Sequence, residues 1–172
     1  MKRWAVFISG TGSNMVAFLE RQHLAHVSLV VSSNSKANGL EKAKRRSIPC
    51  IVLEKDFLWK DLIEELKNLN ITHVMLAGFM KILPKEFIKE FEGRIFNIHP
   101  SVLPDYPGLN SIERAFNDKK DTGCSLHAVD EGVDTGAVVL QRKVSLEESL
   151  EWTELMVHIQ EHKLMRKFLE MS

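Results

Sequence analysis

Cysteine, charge bias and long apolar runs are all scarce in this sequence, and each shortage narrows what the chain can be. Two cysteines, Cys50 and Cys124, offer no disulfide framework and suit a reducing cytosol. Lys plus Arg balance Asp plus Glu at 23 each, so no long-range field gathers nucleic acid or an anionic membrane. No stretch approaches the roughly 20 apolar residues of a membrane span. The N-terminal apolar run is too short for a signal segment and meets Gly10-Thr11-Gly12 directly. Together these absences predict a cytoplasmic protein without nucleic-acid or membrane partners. Proline is scarce as well, yet three of the five, Pro100, Pro104 and Pro107, fall in one loop.

What is present reads as alternating strands and helices. At 172 residues a single domain over 1–172 is the default, and such a chain buries roughly 70% of its unfolded surface. Apolar runs bounded by turn residues predict strands at 4–9, 27–31, 50–53, 74–77, 95–99, 124–129 and 137–144. Helical spacing appears from Met15 to Leu19, 39–46, 57–69, 85–91, 111–117 and from 148 to the end. This alternation predicts an α/β fold, a Rossmann-like, mostly parallel sheet with helices on both faces.

The chain is organised around Ile95-Phe96-Asn97-Ile98-His99 and the proline loop behind it. Period two puts Asn97 and His99 on one face of a strand. Its carboxyl end is where open α/β sheets bind ligands. The three prolines hold the following loop. An amide that can donate to a carbonyl oxygen, two residues from an imidazole that can move a proton, suits acyl transfer. Taken alone, the pair reads first as a strand end whose polar groups cap a turn. Asp134, in a glycine-flanked turn after a strand carrying Ser125 and His127, reaches His99 if that turn folds over the strand end. It would then orient the ring and favour its charged form.

Gly10-x-Gly12-Ser13-Asn14 joins a strand to a helix, where backbone N–H groups favour a phosphate. Met15 replaces the third glycine of a dinucleotide fingerprint, and the second strand ends in Ser32-Ser33 without an acid for a ribose. A small phosphate monoester is the ligand left, against a plain tight turn. His158-x-x-Glu161-His162 matches a zinc-peptidase pattern, but only Glu170 remains as a downstream ligand, so a polar substrate grip is the better reading and no metal is expected. Gly78 to Pro84 offers apolar surface suited to a flat heterocycle, or core packing for Phe79, Ile82 or Leu83.

In order and spacing these motifs resemble the phosphoribosylglycinamide formyltransferases, folate-dependent enzymes of purine synthesis. The matching words are Ile8 to Asn14, Ala77 to Leu83, Asn97 to Pro104 with Tyr106 to Leu109, Gly123 to His127, Val133 to Gly136, and Val157 to Leu164. The resemblance implies the formyltransferase fold and a catalytic Asn97, His99 and Asp134. It implies ribonucleotide contacts at Gly12, Ser13, Asn14, His158, Ile159, Gln160 and Glu161. It also implies a pocket for 10-formyltetrahydrofolate, the formyl donor, at Lys55, Met80, Lys81, Ile82, Leu83, Asn97 and the turn Asp130, Glu131, Gly132, Val133 and Asp134. Lys55 stands where the family often has Arg, keeping the charge and losing the bidentate fork.

Three departures accompany the match. Asn110 and Ser111 replace the usual His and Thr or Ala, which bears on substrate affinity. Met165-Arg166 replaces Tyr-Pro, and the family's C-terminal strands do not follow in this sequence; both bear on sheet-edge stability and oligomer choice. The resemblance implies formyl transfer to glycinamide ribonucleotide by direct attack of its amine, in a monomer or homodimer acting on small molecules. The rivals are another folate-dependent formyl transferase, such as one acting on methionyl-tRNA, a formyl-folate hydrolase, and a non-catalytic ribonucleotide- or folate-binding relic.

Overall fold

The computed structural model describes residues 2–20 and 24–171. Seven strands form one sheet in the order β3-β2-β1-β4-β5-β6-β7. The strands are β1 (Arg3–Ile8), β2 (His26–Ser32), β3 (Cys50–Val52), β4 (His73–Leu76), β5 (Ile95–His99), β6 (Thr122–Ala128) and β7 (Val138–Val144). The helices are α1 (Ser13–Leu19), α2 (Asn38–Lys44), α3 (Trp59–Asn68), α4 (Lys85–Glu90), α5 (Ser111–Asn117) and α6 (Leu150–Met171). β1 pairs in parallel with β2 and β4, and β2 with β3, whereas β6 and β7 are antiparallel. The expected elements are all present, with ends moved by at most two residues. Ser172, the last residue of the expected final helix, lies outside the described residues.

The chain divides into two compact units, Met1–Phe96 and Asn97–Ser172. In the first, β1 is buried along nearly its whole length, as an apolar run in a parallel sheet must be. Strand order reverses between β1 and β4, since β2 and β3 lie to one side of β1. Right-handed crossovers then put α1 and α2 on one face and α3 and α4 on the other. The observed packing agrees: α1 meets α2, and α3 meets α4. Leu62, Ile63 and Leu66 supply the buried stripe of α3. That helix stops where Asn70 takes φ +54, a conformation Asn tolerates better than most residues. Trp4 packs edge-on against Phe18 at 5.2 Å, and Phe7 against Phe79 at 5.2 Å.

In the second unit β6 is buried up to its last residue, Ala128, while β7 is exposed along most of its length. Arg142 and Lys143 on this terminal strand discourage pairing with another chain. α6 lies against β6, β7 and α5 through Val157, Leu164, Met165, Phe168 and Leu169. Its start is two residues later than the sequence suggests, because the Ser149 hydroxyl accepts the Trp152 N–H at 3.3 Å and caps the first turn.

Candidate active site

The second unit gathers its polar groups around one carboxylate. β5 carries Asn97 and His99 on alternate positions, and the turn after β6 brings Asp134 to both. Asp134 Oδ2 accepts the Gly108 backbone N–H at 2.8 Å and lies 3.3 Å from His99 Nδ1. Asp134 Oδ1 accepts from Asn97 Nδ2 at 3.3 Å and lies 3.4 Å from His127 Nε2. The second ring nitrogen of His99 faces the Tyr106 carbonyl oxygen at 3.0 Å. Both His99 nitrogens therefore face acceptors, and a doubly protonated ring satisfies both.

His127, to which the sequence pattern gives no role beyond its place on β6, completes the cluster. Its Nδ1–H donates to the Ala128 carbonyl at 2.8 Å, and its Nε2 sits 3.1 Å from Asn97 Nδ2. A neutral ring accepts from Asn97 there, whereas a charged ring donates toward Asp134. The available signal was period two along β6, which puts Ser125 and His127 on one face. Burial penalises the charged form of Asp134, but the His127 and Gly108 hydrogen bonds and the two imidazoles outweigh it, and the carboxyl falls to about 2.

The backbone is arranged to place this carboxylate. Asp134 itself has φ +55. Asp130 Oδ1 accepts the Gly132 N–H at 3.0 Å and the Thr135 hydroxyl at 2.7 Å, closing the turn before it. Gly136 runs so close to the Ala128 carbonyl that a Cβ would collide with it. Glu131, Gly132 and Val133 are exposed on this turn, as is Asp130. The loop after His99 hangs on buried hydroxyls. Ser125 Oγ donates to the Ser101 carbonyl (2.6 Å) and accepts from the Leu103 N–H (3.0 Å) and Gln141 Nε2 (3.0 Å). Leu103–Pro104 is a cis peptide.

On α6, His158 Nδ1 lies 2.7 Å from Glu161 Oε2. The Glu161 hydrogen bond raises the His158 pKa despite burial pulling the other way. Glu161 is buried, His158 and Ile159 are exposed, and Gln160 is half-buried. Burial first, and then the Glu161 charge, push the Cys124 thiol up to about 12. Asn110 begins α5 with φ +54 and its carbonyl accepts the Arg114 N–H at 2.9 Å. The Asn at this departure from the family pattern thus occupies a left-handed position that suits it.

In the first unit, the Gly10–Asn14 loop and the Gly78–Leu83 loop leave the carboxyl ends of β1 and β4, at the reversal of strand order. Ser9 Oγ accepts the Met80 N–H at 2.8 Å and meets Ser33 Oγ at 2.5 Å, tying three strand ends together. Lys42 Nζ donates to the Thr11 carbonyl at 2.7 Å, a tie with no sequence signal. Gly12 has φ +69, and a Cβ there would meet the Gly39 Cα at 2.7 Å. Its smallness serves the crossing of two backbones, which neither the phosphate reading nor the tight-turn reading of the sequence contains. Ser13 and Asn14 open α1 half-buried. Met80 and Ile82 are 69% and 84% exposed, while Leu83 is buried and Phe79 packs on Phe7. Of the apolar residues in this loop, Leu83 and Phe79 serve the core and Ile82 does not. Lys81 lies over the Phe57 ring at 5.5 Å, and Lys55 is exposed nearby in sequence.

A model of the formyl transferase family matches residues 2–169. The chain is 40% identical over 177 residues to the phosphoribosylglycinamide formyltransferase of Haemophilus influenzae, covering 95% of this chain and 84% of that one. It is 42% identical over 158 residues to the trifunctional purine biosynthetic protein adenosine-3 of Drosophila melanogaster, covering 84% of this chain but only 12% of that protein's length. Among solved structures, the phosphoribosylglycinamide formyltransferase of Streptococcus pneumoniae superposes with a TM-score of 0.92 at 37% identity, covering 99% of this chain and 98% of that one. The chain belongs to the formyl transferase family and, within it, to the phosphoribosylglycinamide formyltransferases.

Proposed function

We propose that the protein transfers the formyl group of 10-formyltetrahydrofolate to the amine of glycinamide ribonucleotide, a step of purine biosynthesis. The observation that carries this reading is the Asp134 carboxylate, which receives Gly108 N–H and Asn97 and stands 3.3 Å from His99 Nδ1. The family resemblance implies donor contacts at Lys55, at Met80, Lys81, Ile82 and Leu83, at Asn97 and along the 130–134 turn. Met80 and Ile82 supply exposed apolar surface that a flat heterocycle would cover, which fits the donor. Bound there, the folate supplies an electrophilic formyl carbon.

The remaining chemistry belongs to this chain. Asn97 has two amide hydrogens; Asp134 holds one, and the other, now toward His127, turns to the formyl oxygen as negative charge develops. His99 Nε2–H, held meanwhile by the Tyr106 carbonyl, is the second donor to that oxygen. Asp134 steadies the charged His99 ring and organises, through water, passage of the amine proton to the folate nitrogen, which leaves protonated as its bond to the formyl carbon breaks. Gly12, Ser13 and Asn14 take the ribonucleotide phosphate, and His158 to Glu161 grip its ribose and glycinamide end. Remote binding of this kind fixes the reacting amine in place.

The test is turnover of purified protein with labelled formyl donor and glycinamide ribonucleotide, in the presence and absence of a metal chelator. Label transferred to the amine at the same rate in both is the expected result. Formate release without transfer would make the protein a hydrolase, and binding of both substrates without turnover would make it a non-catalytic relic.

A further inference from the structure

A cavity of about 360 Å³ opens at the amino ends of the strands in the first unit, away from the loops at their carboxyl ends. Arg3 and His26, the first residues of β1 and β2, line it with Ser28, and Arg46, Ser47 and Pro49 close it from the α2–β3 connection. Among the described residues no carboxylate pairs with Arg3, His26 or Arg46, although the chain as a whole is neutral. Arg46 Nη1 donates only to the Lys42 carbonyl. Arg3 Nε and Ser28 Oγ are buried without a hydrogen-bond partner. Uncompensated cationic and hydroxyl groups of this kind are costly, and two arginines lining one cavity suit the oxygens of linked phosphoryl groups. His73, paired with Trp4 in the sheet, is brought down to about 4 first by burial and then by the Lys2 and Arg94 charges.

We propose that this cavity is a second anion site, separate from the candidate active site, which binds a pyrophosphoryl group through Arg3 and Arg46. The group is either free pyrophosphate or the diphosphate of a nucleotide, and both present the same oxygens to the two forks.

The test is titration of ¹⁵N-labelled protein with sodium pyrophosphate, with ADP and AMP as parallel arms. Saturable shifts of the His26, Ser28, Ser47 and Ile48 amides are expected. Arg3→Gln and Arg46→Gln should each weaken binding roughly tenfold, with formyl transfer unchanged. Arg46 is exposed, so its variant keeps the fold and carries the test by itself. ADP displacing pyrophosphate identifies a nucleotide as the source, and failure of ADP to compete identifies the free anion. Shifts confined to residues 10–14, no saturation, or parent affinity in Arg46→Gln would overturn the proposal.

Discussion

The two regions assigned to the reaction are built in opposite ways. Around Asp134, three side chains and a backbone N–H converge on one carboxylate, and the loop behind it is pinned by buried hydroxyls. Around Met80 and Ile82 the side chains stand in solvent, and the loop is tied by a serine hydroxyl and an aromatic contact. Groups that stabilise developing charge must be oriented before substrate arrives, because reorienting them during reaction would raise the barrier. Surfaces that only cover a ligand gain by being exposed beforehand, since the ligand then removes apolar area from water.

This contrast is broken most directly at the carboxylate. Asp134→Asn and His99→Ala are each expected to reduce kcat by about 10²–10⁴-fold, and Asn97→Ala by about 10²–10³-fold. The Asp134→Asn, His99→Ala double variant should be far less than multiplicatively worse, because the residues act as a unit. Ile82→Ala, in contrast, should act mainly through KM for the folate. Steady-state kinetics on all five proteins decides, and a KM-only effect at Asp134 would erase the distinction.

Gly12→Val sharpens it on the other side. The new Cβ meets the Gly39 backbone at 2.7 Å in a left-handed conformation, so a loss of roughly 1–3 kcal/mol in stability is expected alongside weaker substrate binding. Ser13→Ala should raise KM for the ribonucleotide with stability unchanged. Denaturant unfolding separates the two, and an unaltered midpoint in Gly12→Val would return the glycine to a purely ligand-facing role.

Acid provides a third test. Despite burial, its hydrogen bonds and the neighbouring imidazoles hold the Asp134 carboxyl at about 2 in the fold, against 3.8 for an ordinary aspartate. A depressed carboxyl contributes stability above its unfolded pKa, which is lost as pH falls from about 4 through about 2. The contribution is on the order of 1 kcal/mol after solvent screening. Asp134→Asn should therefore flatten the stability profile between pH 4 and 2 relative to the parent, as read by thermal unfolding at each pH. An equally steep decline in the variant would assign the acid sensitivity to other carboxylates.

The smallest effect is expected at Asn110→His. His tolerates φ +54 somewhat less well than Asn, so a cost below about 1 kcal/mol is expected, with kcat within a few-fold and any change mainly in KM. A large rise in kcat at constant KM would place this position in the catalytic cluster.

Particular residues show what could be read beforehand. The apolar run of β1, the helical stripe of α3 and the alternation along β5 were legible because each is a short-range pattern with a single period. The position of Asp134 was legible only as a condition, that its turn folds back over β5. His127 and Lys42 were not legible as participants, since their partners lie 30 and 31 residues away. Gly12 was legible as special, for a tight turn or a phosphate, but its contact with Gly39 needed the packing of α1 beside α2.

Local pattern thus determined the strands and helices, the shared face of Asn97 and His99, and the glycine turn before α1. Chain folding alone decided which distant groups meet one carboxylate, which glycine must be small, and which loop residues stay in solvent. The division has a physical cause. Side-chain period and turn preference act over a few residues, whereas hydrogen bonding to a buried charge depends on atoms that topology brings within about 3 Å from anywhere in the chain.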